Sequence, residues 1–394
     1  MDVIDQKSFL VEDYQEIRNA VGKICDRFPG EYWREMDVKR YYPKEFVNAL
    51  TQAGWLSALI PEKYGGSGLP LRAGAVILET IHRSGGSAAA CHAQMYTMGT
   101  LLRHGSEKQK QQYLPDIAKG SLRLQAFGIT EPDSGSDTGN IKTRAELVDD
   151  FYIINGQKVW TSRALHSDLI LLLARTQPKS KEGRPRSKDG LSVFLIDLRE
   201  LKDQDIKIQP IDTMINHNTT QLFFNDVKIS RESLIGNEGK GFKYLLDGLN
   251  AERILISSES IGDARFFLDQ ATRYAVDRRV FGSPIGRNQG IQFPLARAHA
   301  NTEAADLMAR KAATLFDRGL SCGHEANIAK LLCSEAAWNA GEACMQTFGG
   351  FAFSRDYDIE RKWREARLYL PAPVSTNLIL AYIGQHILGL PRSY

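Results

Sequence analysis

The spacing of apolar residues changes twice along this chain, and that double change limits the possible folds more than any other feature. Ser8 to Asp26, Pro43 to Ala53, Leu71 to Gly85 and Ala88 to Leu102 carry apolar residues three and four apart, the pattern of helices with one buried face. Pro61 with Gly65, Gly66 and Gly68 interrupts that pattern with a loop. From about residue 126 the period shortens to that of strands. Tyr152-Ile-Ile runs into Asn155-Gly156, a type I′ hairpin signal, and Gln157 to Trp160 returns. Leu169 to Ala174, Leu191 to Ile196 and Gln221 to Phe224 read as further strands. From about 237 long helical patterns resume, over Asn250 to Arg279, Gln292 to Arg318 and Glu325 to Phe348. Helices, then strands, then helices predict an α+β multidomain chain. Its expected parts are an N-terminal helical domain (1-125), a middle antiparallel β domain (126-236) and a C-terminal four-helix-bundle-like domain (237-394).

At 394 residues the chain can bury the cores of two or three domains. A formal charge of +3 implies neither a nucleic-acid nor a membrane partner. The five cysteines form no CxxC pair and read as reduced thiols. The eight histidines show no HxxxH or HExxH spacing, so no metal site is expected. The start, MDVIDQKSFLVEDYQEI, is too acidic for a signal or transit peptide, which favours a cytoplasmic setting. No Walker motif occurs, and Gly236, Gly239 and Gly241 have the wrong spacing for a dinucleotide fingerprint. The basic stretch PKSKEGRPRSKDG (178 to 190) reads as a solvated hairpin loop or as a weak landing site for a phosphorylated ligand.

Residues 126 to 137, AFGITEPDSGSD, carry the densest chemical information. Gly128, Gly135, Ser134 and Ser136 allow a ligand close to backbone and hydroxyl groups, and Thr130 offers a hydroxyl to a polar ring. This loop, the NGQKVWTS segment, the LIPEKYGGSGL turn and the later QTFGGFAFSRDYDIERKWREAR occur in order along one chain. That combination resembles the acyl-CoA dehydrogenase family, flavoproteins that desaturate acyl-CoA thioesters.

The resemblance implies FAD held between the β domain and the C-terminal helices, and an oxidoreductase acting on CH–CH bonds. Carried over by position, Phe127, Ile129, Thr130 and Ser136 line the flavin, Trp160 packs near its ring, and Ser162 stands near N5. Arg278 matches a pyrophosphate ligand of the neighbouring subunit's FAD. Phe281, Asn288, Gln289, Gln346, Gly349, Gly350, Ser375 and Asn377 fall at further FAD positions. Ser136, Asn250, Arg253 and Val374 fall at substrate positions. Each also has a plainer reading: Trp160 as strand core, Arg278 as one charge of a helix C-terminus, and the glycine pair as a helix end.

Desaturation needs a base for the α-proton. Many members place a glutamate shortly after the RDAR-like segment; here REARLYLPAPVST puts Pro373 there, followed by Val374 and Ser375. Proline can neither accept that proton nor offer the backbone N–H that polarises the thioester carbonyl in the family. A minority of members carry the glutamate at the start of the first long C-terminal helix, which here is Glu252, with Glu259 two turns on as the reserve. The plainer reading of Glu252 is a first-turn acid behind an Asn250 N-cap. The resemblance implies an acyl-CoA substrate, an electron-transfer flavoprotein as partner and a homotetramer built as a dimer of dimers. An oxidase or non-oxidative lyase of the same fold, and a non-catalytic acyl-CoA-binding protein, are the alternatives. Met95, Tyr96 and Met98 are open to two readings, acyl-chain contact or core.

Overall fold

The computed structural model describes residues 14–177, 190–202 and 204–392. In chain order the helices are α1 (Gln15–Cys25), α2 (Gly30–Lys39), α3 (Lys44–Gln52), α4 (Leu71–Arg83), α5 (Ala89–His104) and α6 (Glu107–Lys119), then α7 (Gly241–Asp277), α8 (Gln289–Asp317), α9 (Gly323–Phe348), α10 (Ile359–Leu368) and α11 (Thr376–Tyr382). Between α6 and α7 lie β1 (Leu124–Gly128), β2 (Arg144–Val148), β3 (Phe151–Ser162), β4 (Leu169–Arg175), β5 (Leu191–Asp197), β6 (Ile206–Pro210), β7 (Thr219–Ser230) and β8 (Leu234–Ile235). The short β9 (Arg279–Val280) and β10 (Ser283–Pro284) follow α7.

Contacts group these elements into two compact units. One comprises Arg40–Leu69 and Ala89–Leu249, and the other takes the residues up to Lys39, Pro70–Ala88 and those from Asn250 onward. The first unit is built on one sheet in the order β6-β7-β3-β2-β4-β5-β8, with β1 also paired to β4. Most pairings are antiparallel, but β1 and β2 meet β4 in parallel, so the sheet is mixed. The uninterrupted apolar run of β4 follows from burial on both faces. Leu169, Leu171 and Leu173 join a core with Met98, Leu101, Leu114 and Ile117. Ile170, Leu172 and Ala174 face Tyr152, Phe194, Leu222 and Phe224 on the other side. Met98 is thus core, as is Met95 at 2% exposure.

The second unit is helical, and its core is rich in alanine. Ala264 and Ala271 of α7, Ala298 of α8 and Ala337 and Ala340 of α9 pack with Phe267 and Phe348. Small residues let the helix axes approach closely, and at Gly341 an added Cβ would lie 3.2 Å from Phe267.

Two local expectations need correction. Asn155-Gly156 is no turn: β3 runs straight through it, with a bulge against β7. Gly156 is required there because its φ is +150° and a Cβ would lie 2.5 Å from the Thr143 hydroxyl. The turn into β3 is Asp149-Asp150, with Asp149 at φ +54°. Likewise α7 starts at Gly241, so Asn250 is not an N-cap and Glu252 lies in the helix interior. Buried Tyr244 and Leu245 carry the helical pattern back across Gly248.

Candidate active site

On the sheet unit, the ITEPDSGSD loop is pinned by one buried carboxylate. Glu131 accepts hydrogen bonds from the Lys142 N–H (2.7 Å), the Thr143 N–H (2.9 Å) and the Lys158 ammonium (2.9 Å). Lys158, fully buried on β3, also donates to the Ile129 carbonyl at 2.9 Å. Burial lowers the Lys158 ammonium to about 8, against the raising pull of Glu131. Burial raises Glu131, but Lys158 and the backbone donors outweigh it and hold the carboxylate below its usual range. The pair fixes the segment that presents Thr130, whose carbonyl also accepts the Val159 N–H at 2.9 Å. Neither the separation of 27 residues nor any motif points to this pair in the sequence.

The sheet unit therefore gathers Phe127 at the end of β1, then Ile129 and Thr130, alongside Trp160 and Ser162 at the end of β3. Trp160 is 60% exposed and sits at φ +62°, a region that bulky residues rarely enter. It is not strand core. The Ser162 hydroxyl accepts the Asn216 amide at 2.8 Å, while Ser134 spends its hydroxyl on the Asp137 carbonyl. Ser136 is exposed.

On the helical unit, Arg278, Gln346, Gly349 and Gly350 line one pocket with Tyr274 and Phe351. The Arg278 guanidinium lies 5.8 Å over the Phe351 ring. Gly349 ends α9 at φ +58°, and a Cβ at either glycine meets nothing within 4 Å, so the backbone is open to a ligand. An open glycine backbone beside a guanidinium suits a diphosphate, so these residues fit the cofactor that the resemblance implies. Phe281 is fully exposed at φ +50°, and Asn288, Gln289 and Asn377 are exposed as well. The structure does not bring those four into the Arg278 pocket.

Glu252 lies half-buried on α7. Beside it Arg253 is 8% exposed and donates to Asn250 Oδ1 at 3.0 Å, with its Nε buried and unpartnered. Burial lowers the Arg253 guanidinium. The 369–376 segment between α10 and α11 is tied by the Leu370 carbonyl, which accepts the Lys330 ammonium (2.9 Å) and the Thr376 N–H (3.3 Å). Ser375 caps α11, accepting the Leu378 N–H at 3.4 Å.

Deeper in the helical unit lies a buried polar hub that no sequence spacing announces. Lys362 donates to the Gly86 carbonyl (2.9 Å) and to Glu365, and its ammonium is ion-paired with Asp263 Oδ1 at 2.6 Å. His82 Nε2 accepts the Ala88 N–H at 3.0 Å, so its Nδ1 carries the proton toward Asp263 Oδ1 at 2.8 Å. His82, Asp263 and Glu365 offer ligand atoms within 4.8 Å of one another. The Lys362 ammonium stands among them and serves as the cluster's cation.

Helix–sheet–helix order, a hydroxyl-bearing loop beside an outward tryptophan on the sheet unit, and an arginine–glycine pocket on the helical unit each fit the FAD-dependent CH–CH oxidoreductase that the resemblance implies. The chain belongs to the acyl-CoA dehydrogenase family: residues 11–121 match its N-terminal domain, 126–227 its middle domain and 239–386 its C-terminal domain. FAD is its cofactor. The acyl-CoA dehydrogenase fadE12 of Mycobacterium bovis is 33% identical over 386 residues, covering 97% of this chain and 98% of the relative. The glutaryl-CoA dehydrogenase of Desulfococcus multivorans is 32% identical over 388 residues, covering 96% of each. The solved butyryl-CoA dehydrogenase of Megasphaera elsdenii superposes with a TM-score of 0.86 at 30% identity, covering 94% of this chain and 98% of that one. Among the described residues no helix is long and apolar enough to cross a membrane.

Proposed function

We propose that this chain desaturates an acyl-CoA thioester, with Glu252 as the base that removes the α-proton. When bound, FAD supplies the two-electron acceptor for the β-hydrogen. The carrying observation is the contrast between Glu252 and its two rivals for the role. Pro373 has no titratable group, and Glu259 is 2% exposed and committed to the Tyr369 hydroxyl. Glu252 keeps partial exposure on the face of α7 next to the Asn250–Arg253 pair. A carboxylate within reach of a ligand is the kind of group that α-proton abstraction needs. As the α-proton moves to Glu252 and the β-hydrogen leaves with its electron pair, the two C–H bonds are replaced by a C=C bond.

The remaining site residues serve binding and orientation. Thr130, held by the Glu131–Lys158 pair, meets the flavin ring, with Trp160 and Ser162 beside it. Arg278, Gln346, Gly349 and Gly350 hold the diphosphate of a neighbouring subunit's FAD. A homotetramer is the expected assembly, and exposed Phe281, Phe293 and Phe353 on the helical unit support burial against further copies. Electrons leave to an electron-transfer flavoprotein.

Anaerobic flavin absorbance with short, branched, aromatic and dicarboxylic acyl-CoAs tests this reading. Wild type bleaches with one group, and Glu252→Gln binds FAD and acyl-CoA without bleaching. Bleaching by Glu252→Gln at the wild-type rate would refute the assignment.

A further inference from the structure

Glu259 lies seven residues beyond Glu252 on α7, about 10 Å along the axis and on nearly the same face. Tyr369 follows the last residue of α10, four positions before Pro373. Both are buried, at 2% and 4% exposure, and the Tyr369 hydroxyl is hydrogen-bonded to Glu259. Behind Glu259 stands His82, with its Nε2 at 3.9 Å, fixed by the Ala88 N–H and by Asp263. The next residue, Leu370, is held by its carbonyl to Lys330 of α9 at 2.9 Å. The chain thus leaves α10 with its first two residues anchored, one to α7 and one to α9.

A leucine at 259 would fill a helix-packing position without needing any partner, whereas a buried carboxylate is costly unless hydrogen-bonded. The acid is therefore tied to the hydroxyl it accepts. Pro373 contributes no N–H, so recognition of the thioester carbonyl depends on where the rest of the 369–376 segment is held. We propose that Glu259, acting through Tyr369, is a positioning residue that locks the 369–376 segment to the helix carrying Glu252. The lock sets the thioester carbonyl relative to the base. This inference rests on the reading of Glu252 given above.

The test uses FAD-loaded Tyr369→Phe, Glu259→Leu and Glu259→Gln. Three quantities are measured: FAD content, kcat and KM with an acyl-CoA that reduces wild type, and the thioester carbonyl stretching frequency of a bound analogue of that acyl-CoA, non-reducible because sulfur replaces its β-carbon while the thioester is kept, by isotope-edited infrared difference spectroscopy. Tyr369→Phe and Glu259→Leu should keep FAD and lower kcat by about tenfold or more with KM within about threefold, since misplacement costs turnover before binding. Their bound carbonyl should return toward the frequency of the free thioester. Glu259→Gln keeps an amide oxygen as acceptor and should stay close to wild type in both. Unchanged kcat and carbonyl frequency in Tyr369→Phe overturns the proposal. Should Tyr369→Phe fail to fold, equal behaviour of Glu259→Leu and Glu259→Gln overturns it. A wild type that neither reduces its flavin nor shifts the carbonyl overturns the reading of the site, and this proposal with it.

Discussion

Lys362 places its ammonium 2.6 Å from Asp263, and neither side chain is exposed to solvent. That single cation also serves Glu365, so two buried carboxylates lean on it. Removing one partner of such a set leaves charge buried without compensation, which costs far more than the set itself contributes.

Lys362→Met should therefore destabilise the protein by about 3–5 kcal/mol. Asp263→Leu/Lys362→Met should lose less than the sum of the two single variants, because the double change removes both members together. Urea unfolding with FAD present at saturation would show this, and simple additivity would refute the coupling.

Glu365 gives the hub a pH dependence with a definite sign. Burial raises this carboxyl, but Lys362, His82 and Arg361 together outweigh burial and bring it from 4.5 down to about 2. Between those values the unfolded chain binds a proton that the folded chain does not. The stabilisation is complete above the unfolded value and is lost as pH falls through the window toward about 2. Wild type should lose up to about 1.4 kcal/mol per pH unit from this group across that window. Glu365→Gln should show a shallower acid limb in unfolding free energy against pH. An identical limb in the two proteins would rule out the effect.

The parts of this protein that the sequence makes legible are those where burial writes a periodic pattern. LILLLA of β4 is apolar without a break because both faces are covered, and the alanine-rich helical runs likewise announce a packed unit. Asn155-Gly156 misleads because a glycine demanded by crowding against Thr143 looks the same in sequence as one demanded by a tight turn. The start of α7 is obscured by Gly248, which breaks the pattern without breaking the helix. The FAD and substrate positions were readable only through the family resemblance, since no spacing within the chain marks them. Glu131–Lys158 and the hub of His82, Asp263 and Lys362 escaped notice for another reason: they join residues 27, 181 and 280 positions apart.

Arg278 supplies a third prediction. In the proposed site its guanidinium meets a diphosphate, and a hydrogen bond to a charged group contributes about 1.5–3 kcal/mol, or roughly 10- to 150-fold in affinity. Arg278→Ala should release FAD on dilution at correspondingly higher protein concentration, with the apoprotein's helix content by circular dichroism unchanged. Retention equal to wild type would remove Arg278 from the FAD site.

Trp160 and Phe281 share an unusual combination: each is a large apolar side chain, highly exposed, on a backbone at positive φ. For residues of this size the left-handed region costs about 1–3 kcal/mol, and exposure means that packing within the subunit does not offset it. Strain of this kind persists where it serves a ligand or a partner, and both residues fall at positions assigned to the flavin. Glycine adopts positive φ freely, though it adds conformational entropy to the unfolded chain worth about 0.4–1 kcal/mol. Trp160→Gly and Phe281→Gly should accordingly leave the apoprotein as stable as wild type, within about 1 kcal/mol. In the FAD-loaded protein the same changes should lower thermal stability and quicken flavin release, because the proposed aromatic contacts to the flavin are gone. Differential scanning calorimetry of apo and FAD-loaded samples separates the two effects. An equal loss of stability in the apo and FAD-loaded samples would mean that these side chains hold the fold itself, and that their strained backbone has no part in holding the flavin.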